Sequence, residues 1–347
     1  MSGDIVLLTG GLGYLGSQVL RSAAAVLLGR TVRILDNLAT RGERALVDLP
    51  SGCRYEFVEG DVLDAGVLRY ALRGVDTVIH LAGVVRTPMS FEHPTWMRQV
   101  NSWGTAAVAE ACLRAGVARL VYTSSTAVYG PGGPFDEDAP VRPVGPYASS
   151  KLAAEQAVLG AGERGLESTV LRLGMLYGHA PCARYDGFVN RLLFQAGTGR
   201  AMTVYGSGRQ RRPIVHVSDA AAAVLQVATA SDGATAGDDV TASDGSYAIA
   251  ASHVSDAAHA VVNVVESNAS VLDVVEAVKR LRPALSVRFA EQDVLNHLSF
   301  LVDAERIRGA GWSPVMRLSD AVEAELEHFG NFGALPGSPD ESLDSSA

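Results

Sequence analysis

Two stretches carry side chains whose types and spacing suit proton transfer. Ser124 and Ser125 end an apolar run, and Tyr147-Ala148-Ser149-Ser150-Lys151 opens a helical pattern. Tyr147 and Lys151 stand four apart and so share one helix face. An ammonium beside a phenol favours phenolate and brings its pKa towards neutrality, where the group serves as a general acid/base. Ser125 is suited to hydrogen-bond the substrate oxygen whose proton Tyr147 moves, and Lys151 to hold the hydroxyls of a bound ribose. Of 29 lysines and arginines only Lys151 and Lys279 are lysine, so the chain keeps one where a compact ammonium is needed. Ser125, Tyr147 and Lys151 are the candidate catalytic residues.

Such a trio needs a strand that stops at Ser125, a helix that starts near Tyr147, and a partner molecule held against both. The N-terminal stretch supplies the holder. Ile5-Val6-Leu7-Leu8 reads as a buried parallel strand and runs into Thr9-Gly10-Gly11-Leu12-Gly13-Tyr14-Leu15-Gly16. Gly11, Gly13 and Gly16 match G-x-G-x-x-G, and Gly10, Gly13 and Gly16 match the wider spacing. Glycines there allow a tight turn, close approach to a pyrophosphate and close helix–strand packing. The phosphates rest on the free N–H groups that open the following helix. A second strand, Thr31 to Leu35, ends in Asp36-Asn37, and Asp36 lies twenty residues past Gly16. An acid at that distance holds the adenine ribose hydroxyls and repels a 2′-phosphate, which favours NAD over NADP. Arg41 and Arg44 lie close enough to leave NADP open.

Further strands are expected at Tyr55–Val58, Asp76–Gly83, Arg119–Ser125 and Ser168–Leu173, with helices at Trp96–Leu113 and Tyr147–Leu159 between them. Strands alternating with helices mean βαβ units and a parallel sheet. Small residues at Leu81-Ala82-Gly83 let a cofactor ring lie against the backbone. The expected fold is α/β, a Rossmann-type doubly wound parallel sheet with a smaller, discontinuous α/β substrate domain. Residues 1–173 and 214–265 would form the NAD-binding domain, 174–213 and 266–330 the substrate domain, and 331–347 a disordered tail. In the second half, helices are expected at Phe188–Ala196, Asp219–Thr229, Val271–Leu281 and Leu318–Phe329. Short strands are expected at Thr203–Tyr205, Ile214–Val217 and Val287–Phe289, and the polar stretch Ser231–Ser246 reads as a flexible loop. His216 to Ala221 recurs as His253 to Ala258, too short a recurrence for a repeat architecture.

Composition narrows the partners. With 347 residues, 48% apolar and 19% charged, the chain reads as a globular protein of about two domains. A net charge of −9 without a basic block argues against nucleic acid or an anionic membrane as partner. No apolar run reaches the ~18 residues of a membrane span, and the chain enters its first strand with no leader, so a cytoplasmic location is expected. Cys53, Cys112 and Cys182 are odd in number and far apart, as reduced thiols are. His179 and Cys182 lack partner ligands, so no metal is expected, and His80 reads as a core residue.

Together these motifs resemble the extended short-chain dehydrogenase/reductase family, specifically its NAD-dependent epimerase/dehydratase group, over roughly residues 4–330. The resemblance implies cofactor contacts at Gly10, Gly13, Tyr14, Leu15, Gly16, Asp36, Asn37, Asp61, Val62, Leu81, Ala82, Gly83 and Asn101, besides Tyr147 and Lys151. It implies substrate contacts at Val85, Ser125, Thr126, Tyr147, Val204, Tyr205 and Arg212, with Arg212 holding a nucleotide-sugar phosphate. Val128-Tyr129-Gly130, Arg172 with Tyr177-Gly178, Val204 to Gly208, Ser270 to Val275 and Gly311-Trp312-Ser313-Pro314 resemble further signatures of the family. It also implies a homodimer packed through the helices around 97–113 and 147–159. Dehydratases and decarboxylases of this kind carry an acid just before the Val128 position, and this chain has Thr126-Ala127. That leaves hydride transfer with one Tyr/Ser proton relay, of which an NAD-dependent nucleotide-sugar 4-epimerase is the simplest form.

Two departures concern the sugar-nucleotide half. Gly174-Met175 stands where the family has Phe-Asn, and Ala290-Glu291-Gln292-Asp293 where it has an arginine-bearing run. A ketoreductase or dehydrogenase of a non-nucleotide substrate is the alternative, and a non-catalytic NAD-sensing protein a third.

Overall fold

The computed structural model describes residues 5–85, 91–230, 259–291 and 299–329. Its centre is a seven-stranded sheet. The first five strands are β1 (Ile5–Thr9), β2 (Thr31–Asp36), β3 (Arg54–Glu59), β4 (Val75–His80) and β5 (Arg119–Ser125). Strands Glu167–Leu173 and His259–Val264 complete it, beside β5 and in that order. Every pairing in the sheet is parallel. Such strands are buried on both faces, which is why they read as unbroken apolar runs.

Successive side chains of a strand point to opposite faces. Val6 and Leu8 accordingly join Ile34, Ile79 and Val121 in one core, under helix α1 (Tyr14–Val26) and helix Val217–Thr229. Leu7 joins Leu35, Val78, Leu120 and Tyr122 in the other core, under helices Ala65–Ala71, Thr105–Ala115 and Gly145–Gly162. The sheet is therefore doubly wound, as expected. The chain runs from β1 outward through β2 and β3, then crosses to β4 on the other side of β1. That reversal opens a crevice beyond the C-terminal ends of β1 and β4, where ligands bind in open α/β sheets.

A third core lies outside the sheet. Tyr177, Val189, Leu192, Leu193, Val204, Ile214, Val274, Val278 and Val322 pack together there. It is framed by helices Phe188–Gly197, Val271–Leu281 and Leu318–His328 and by strand pairs Met175–Tyr177 with Arg211–His216 and Met202–Tyr205 with Val287–Ala290. Helix Val271–Leu281 begins at a capping box: Ser270 Oγ accepts from the Asp273 N–H, and Asp273 accepts from the Ser270 N–H. Asp219 ties this region to the sheet. Its two carboxylate oxygens accept from the N–H groups of Val315 and Met316, at 3.1 Å each, while the Trp312 indole donates to its backbone carbonyl. Strands Gly132–Phe135 and Phe300–Val302 pair with each other, an element that the apolar pattern did not announce. The Ser231–Ser246 stretch, the His253–Ala258 recurrence and the 333–347 tail lie outside the described residues.

Candidate active site

The three glycines of the turn are required for three different reasons. Gly10 has φ +67°, and a Cβ there would stand 2.6 Å from the Ala82 backbone, so the turn and the end of β4 touch. At Gly16 a Cβ would lie 2.5 Å from the Gly10 carbonyl, so this glycine seats α1 on the turn. Gly13 has ordinary φ (−75°), and its Cβ would meet nothing closer than 3.3 Å. Its backbone angles do not demand a glycine, but a Cβ would crowd the Gly10 carbonyl, and with no other atom within 4 Å the open side suits an approaching ligand. The first intrahelical bond of α1 runs from Ser17 N–H to the Gly13 carbonyl at 2.9 Å, so the N–H groups of Tyr14, Leu15 and Gly16 precede the ladder. The first turn carries no acid to compete with an anion.

Asp36, at the end of β2, is buried and accepts from the N–H groups of Leu12 (3.0 Å) and Leu38 (2.9 Å). It therefore locks the glycine turn as well as presenting an acid beside it. Asn37 donates to Asp61 at 2.8 Å, joining the ends of β2 and β3. This donor set fits a dinucleotide: an open glycine, free helix-opening N–H groups, a carboxylate at the second strand, and Lys151 further along. A Cβ on Gly83 would sit 3.6 Å from Lys151 Nζ and 3.1 Å from Asn101 Oδ1, so the end of β4 lies directly against both.

The candidate catalytic trio converges at the end of β5. Lys151 is buried, donates to the Thr123 carbonyl at 2.9 Å and lies over the Tyr122 ring at 4.9 Å. Burial lowers its pKa to about 8, against a smaller opposing pull from Glu155. Ser125 accepts from the Ala127 N–H at 3.2 Å and lies near enough to Tyr147 to favour its phenolate. The sequence leads one to expect a Tyr147 phenol brought towards neutrality by Lys151. The structure corrects this: burial raises the phenol above its ordinary value, and the opposing influences come from Ser125 and Arg184. The Lys151 ammonium is directed to Thr123 instead. Arg184 itself pairs with Asp186 two residues on.

Several expected contact residues have other duties. Asn101, 1% exposed within the π-helical turn Gln99–Gly104, gives its amide to Val84 at both ends (2.7 and 2.9 Å) and to Ser150 Oγ (3.1 Å). Ser150 in turn donates to the Tyr147 carbonyl at 2.7 Å. Asn101 thus positions the catalytic helix against the end of β4. π-turns of this kind recur at functional sites. Thr126 is 2% exposed and donates its hydroxyl to the Leu173 carbonyl, so its side chain braces two strand ends. Val204, fully buried, belongs to the third core, and Val62 and Leu15 are likewise core side chains that offer only backbone. The Tyr14 hydroxyl donates to the Gly178 carbonyl and accepts from Asn190 Nδ2, tying the glycine turn to the third core. Val85 is exposed at the end of its loop.

Behind the trio lies a polar network that the residue pattern did not reveal. Ser124 donates to Glu155, and Glu155 holds Arg172 through both carboxylate oxygens; the pair is 1% and 6% exposed. Arg172 donates to Tyr129 Oη at 2.9 Å, and Tyr129 donates to Asn263 at 2.9 Å. On the far side, Arg212 lies over the Phe300 ring at 5.2 Å, and burial lowers its pKa to about 10. Arg191, which sequence reasoning passed over as one arginine among many, lies over the Tyr205 ring at 4.6 Å. Burial lowers its pKa, and its Nε is buried without a hydrogen-bond partner. His80 hydrogen-bonds Thr9 (2.6 Å) and Thr105 (2.9 Å), with its pKa lowered to about 3 by burial, the core residue expected. Among the described residues no group of three or more His, Cys, Asp or Glu could hold a metal, and no helix is long and apolar enough to cross a membrane.

Comparison with known proteins places this geometry. Residues 6–243 match the NAD dependent epimerase/dehydratase family. The chain is 32% identical over 231 residues to a dTDP-glucose 4,6-dehydratase of Streptomyces niveus, covering 64% of this chain and 68% of that protein. It is 35% identical over 235 residues to a UDP-glucose 4-epimerase of Azospirillum brasilense, covering 62% of this chain and 66% of that one, just under two thirds of its length. Its fold is similar to the structure of MoeE5 in complex with UDP-glucose and NAD, with a TM-score of 0.76 and 28% identity over 93% of this chain and 97% of that chain. Both reaction types of the group, epimerisation and dehydration, are thus represented among its relatives, and the family is NAD-dependent. The chain belongs to the NAD-dependent epimerase/dehydratase family.

Proposed function

We propose that the protein is a nucleotide-sugar 4-epimerase working through a transient 4-keto sugar. The observation that carries this reading is the pair after Ser125. Thr126 is buried with its hydroxyl committed to Leu173, and Ala127 has no titratable group. The nearest buried carboxylate, Glu155, is held by Ser124 and Arg172. Among the described residues, Tyr147 is then the group at the end of β5 suited to move a proton, and eliminating water requires a second one.

In this reading Gly13, the opening N–H groups of α1, Asp36, Gly83 and Lys151 hold NAD. Bound there, the nicotinamide supplies an acceptor and donor of hydride. Tyr147, as phenolate, takes the proton of the 4-hydroxyl while Ser125 donates to the same oxygen. The keto sugar turns in the cleft, and Tyr147 returns the proton to the oxygen on the other side. Ser125 steadies the phenolate, Asn101 and Ser150 fix the helix that carries it, and Lys151 keeps positive charge nearby.

The division into an NAD-binding unit (1–173, 214–265) and a substrate unit (174–213, 266–330) is proposed with it, supported by the separate third core. A homodimer through the helices around 97–113 and 147–159 is proposed as well, supported by Trp103, which is 56% exposed within the first of these segments.

Incubation with UDP-, dTDP-, GDP- and CDP-sugars, followed by chromatography, tests the reading. Formation of a 4-epimer supports it; a dehydrated product, or no product and no binding across the panel, opposes it. Met175, where the family has Asn, favours one second reading, a dehydrogenase of a non-nucleotide substrate. Stoichiometric release of reduced cofactor would identify that activity.

A further inference from the structure

The diphosphate half of the cleft lacks two groups that the family resemblance leads one to expect, with Met175 in place of an Asn and no arginine in Ala290-Glu291-Gln292-Asp293. The structure brings a different cation to that side. Arg191 lies in the first turn of helix Phe188–Gly197, and its N–H donates to the carbonyl of Gly187 at 2.9 Å. Gly187 in turn packs on Met175: a Cβ there would stand 3.7 Å from the Met175 sulfur. Arg191 is therefore one helical turn from the position that lost its amide.

Its guanidinium carbon lies 4.6 Å over the centre of the Tyr205 ring, which holds the charged head in place. Tyr205 ends its strand, and its carbonyl accepts from Gln210 Nε2 at 3.1 Å, two residues before Arg212. Arg212 likewise lies over the ring of Phe300, at 5.2 Å. Two half-buried arginines, each over an aromatic ring, thus flank the Tyr205–Gln210 turn. A cation taken out of water without a counter-charge is costly, and Arg191 forms none of the ion pairs seen among the described residues, with its Nε buried and lacking an acceptor. A half-buried guanidinium with an unpartnered N–H and no counter-charge among the described residues has hydrogen-bonding capacity left for the oxygens of a phosphate.

We propose that Arg191 is a substrate-binding residue that holds a phosphate of the diphosphate, with Arg212 on the other side of the Tyr205–Gln210 turn, in place of the family's missing amide and arginine. The inference rests on the nucleotide-sugar reading and deepens it by assigning the diphosphate subsite. Arg191 does not touch the reacting carbon; its contribution is to affinity.

Arg191→Met tests this, because methionine keeps an apolar stem against Tyr205 and removes the charge and the donors. The NAD-loaded protein and this variant are titrated with UDP and dTDP, and with uridine and thymidine, by calorimetry. Loss of one charge-assisted phosphate contact is expected to weaken nucleoside diphosphate binding by about 10- to 100-fold. The unphosphorylated nucleosides should bind both proteins alike, and thermal unfolding should show the variant folded. With the epimerised sugar, KM should rise by a similar factor while kcat stays within about threefold. Arg191→Lys should recover part of the affinity.

Equal diphosphate affinity in wild type and variant would overturn the inference while leaving the nucleotide-sugar reading intact. A parallel loss for diphosphates and nucleosides would overturn it too, by showing that Arg191 shapes the pocket as a whole. Failure of the wild-type protein to bind either diphosphate would instead defeat the underlying reading.

Discussion

Lys151 combines cost and purpose in one side chain. It is 5% exposed and its pKa is lowered to about 8, so the folded chain carries a buried charge at neutral pH. The sign follows from the direction of the shift. Below pH 8 the lysine is charged in both folded and unfolded chains, and the full burial penalty opposes folding. Between about 8 and the ordinary 10.5 the folded form sheds its proton first, and the penalty fades. The shift corresponds to an upper limit of about 3 kcal/mol. Lys151→Met is therefore expected to be more stable than wild type at pH 7 to denaturant, with the gap narrowing as pH rises from 8 to 10, and to be inactive. A wild type more stable than the variant at pH 7 would show that the Thr123 bond outweighs the burial. Tyr147→Phe keeps the ring and removes the proton relay; turnover should fall by about 10²- to 10⁴-fold with nucleotide-sugar affinity retained. Because burial raises the Tyr147 phenol, the rate of the free enzyme should climb with pH above neutrality, as the phenolate fraction grows.

At the scale of elements, the glycine turn separates cleanly by substitution. Gly13→Ala is expected to weaken NAD binding by calorimetry with a smaller loss of thermal stability than the other two glycines show, since its Cβ meets only the Gly10 carbonyl, at 3.3 Å. Gly16→Ala and Gly10→Ala place a Cβ within 2.6 Å of backbone and should lower stability itself. The Glu155–Arg172 pair links helix Gly145–Gly162 to strand Glu167–Leu173 under the site. Removing one partner with Arg172→Met strands a buried carboxylate and should cost roughly 3–5 kcal/mol in urea unfolding, whereas the double change with Glu155→Leu should return much of it. These elements also show what the residue pattern conveys. Local chemistry is legible: the strand before Gly10, the acid after β2 and the Tyr147–Lys151 spacing all follow from short stretches. Side-chain duty is less so. Asn101, Thr126 and Val204 sit at positions that suggest ligand contact, yet each is committed to partners remote in the chain, Ser150, Leu173 and the third core. Arg191 went unremarked for the same reason: only the folded chain brings Tyr205 beneath it.

For the whole molecule, the proposed homodimer puts the exposed Trp103 at its interface. Trp103→Glu should shift the protein from dimer to monomer in light scattering, and an unchanged mass would place the interface elsewhere. The sheet order and its crevice were within reach of the sequence because alternation of strand and helix leaves few topologies. The way in which Asp219 gathers the Trp312–Met316 segment was not, since it joins positions nearly a hundred residues apart. The central claim is a redox-neutral 4-epimerisation in which Tyr147 alone moves the proton. Running the reaction in D2O with each accepted nucleotide sugar, and reading the product by mass and NMR, tests it most directly. The account predicts the C4 epimer at unchanged carbon-bound mass, with no deuterium on the ring and no accumulation of reduced nicotinamide. A product lighter by one water and deuterated at C5, or a stoichiometric rise in reduced cofactor, would contradict it.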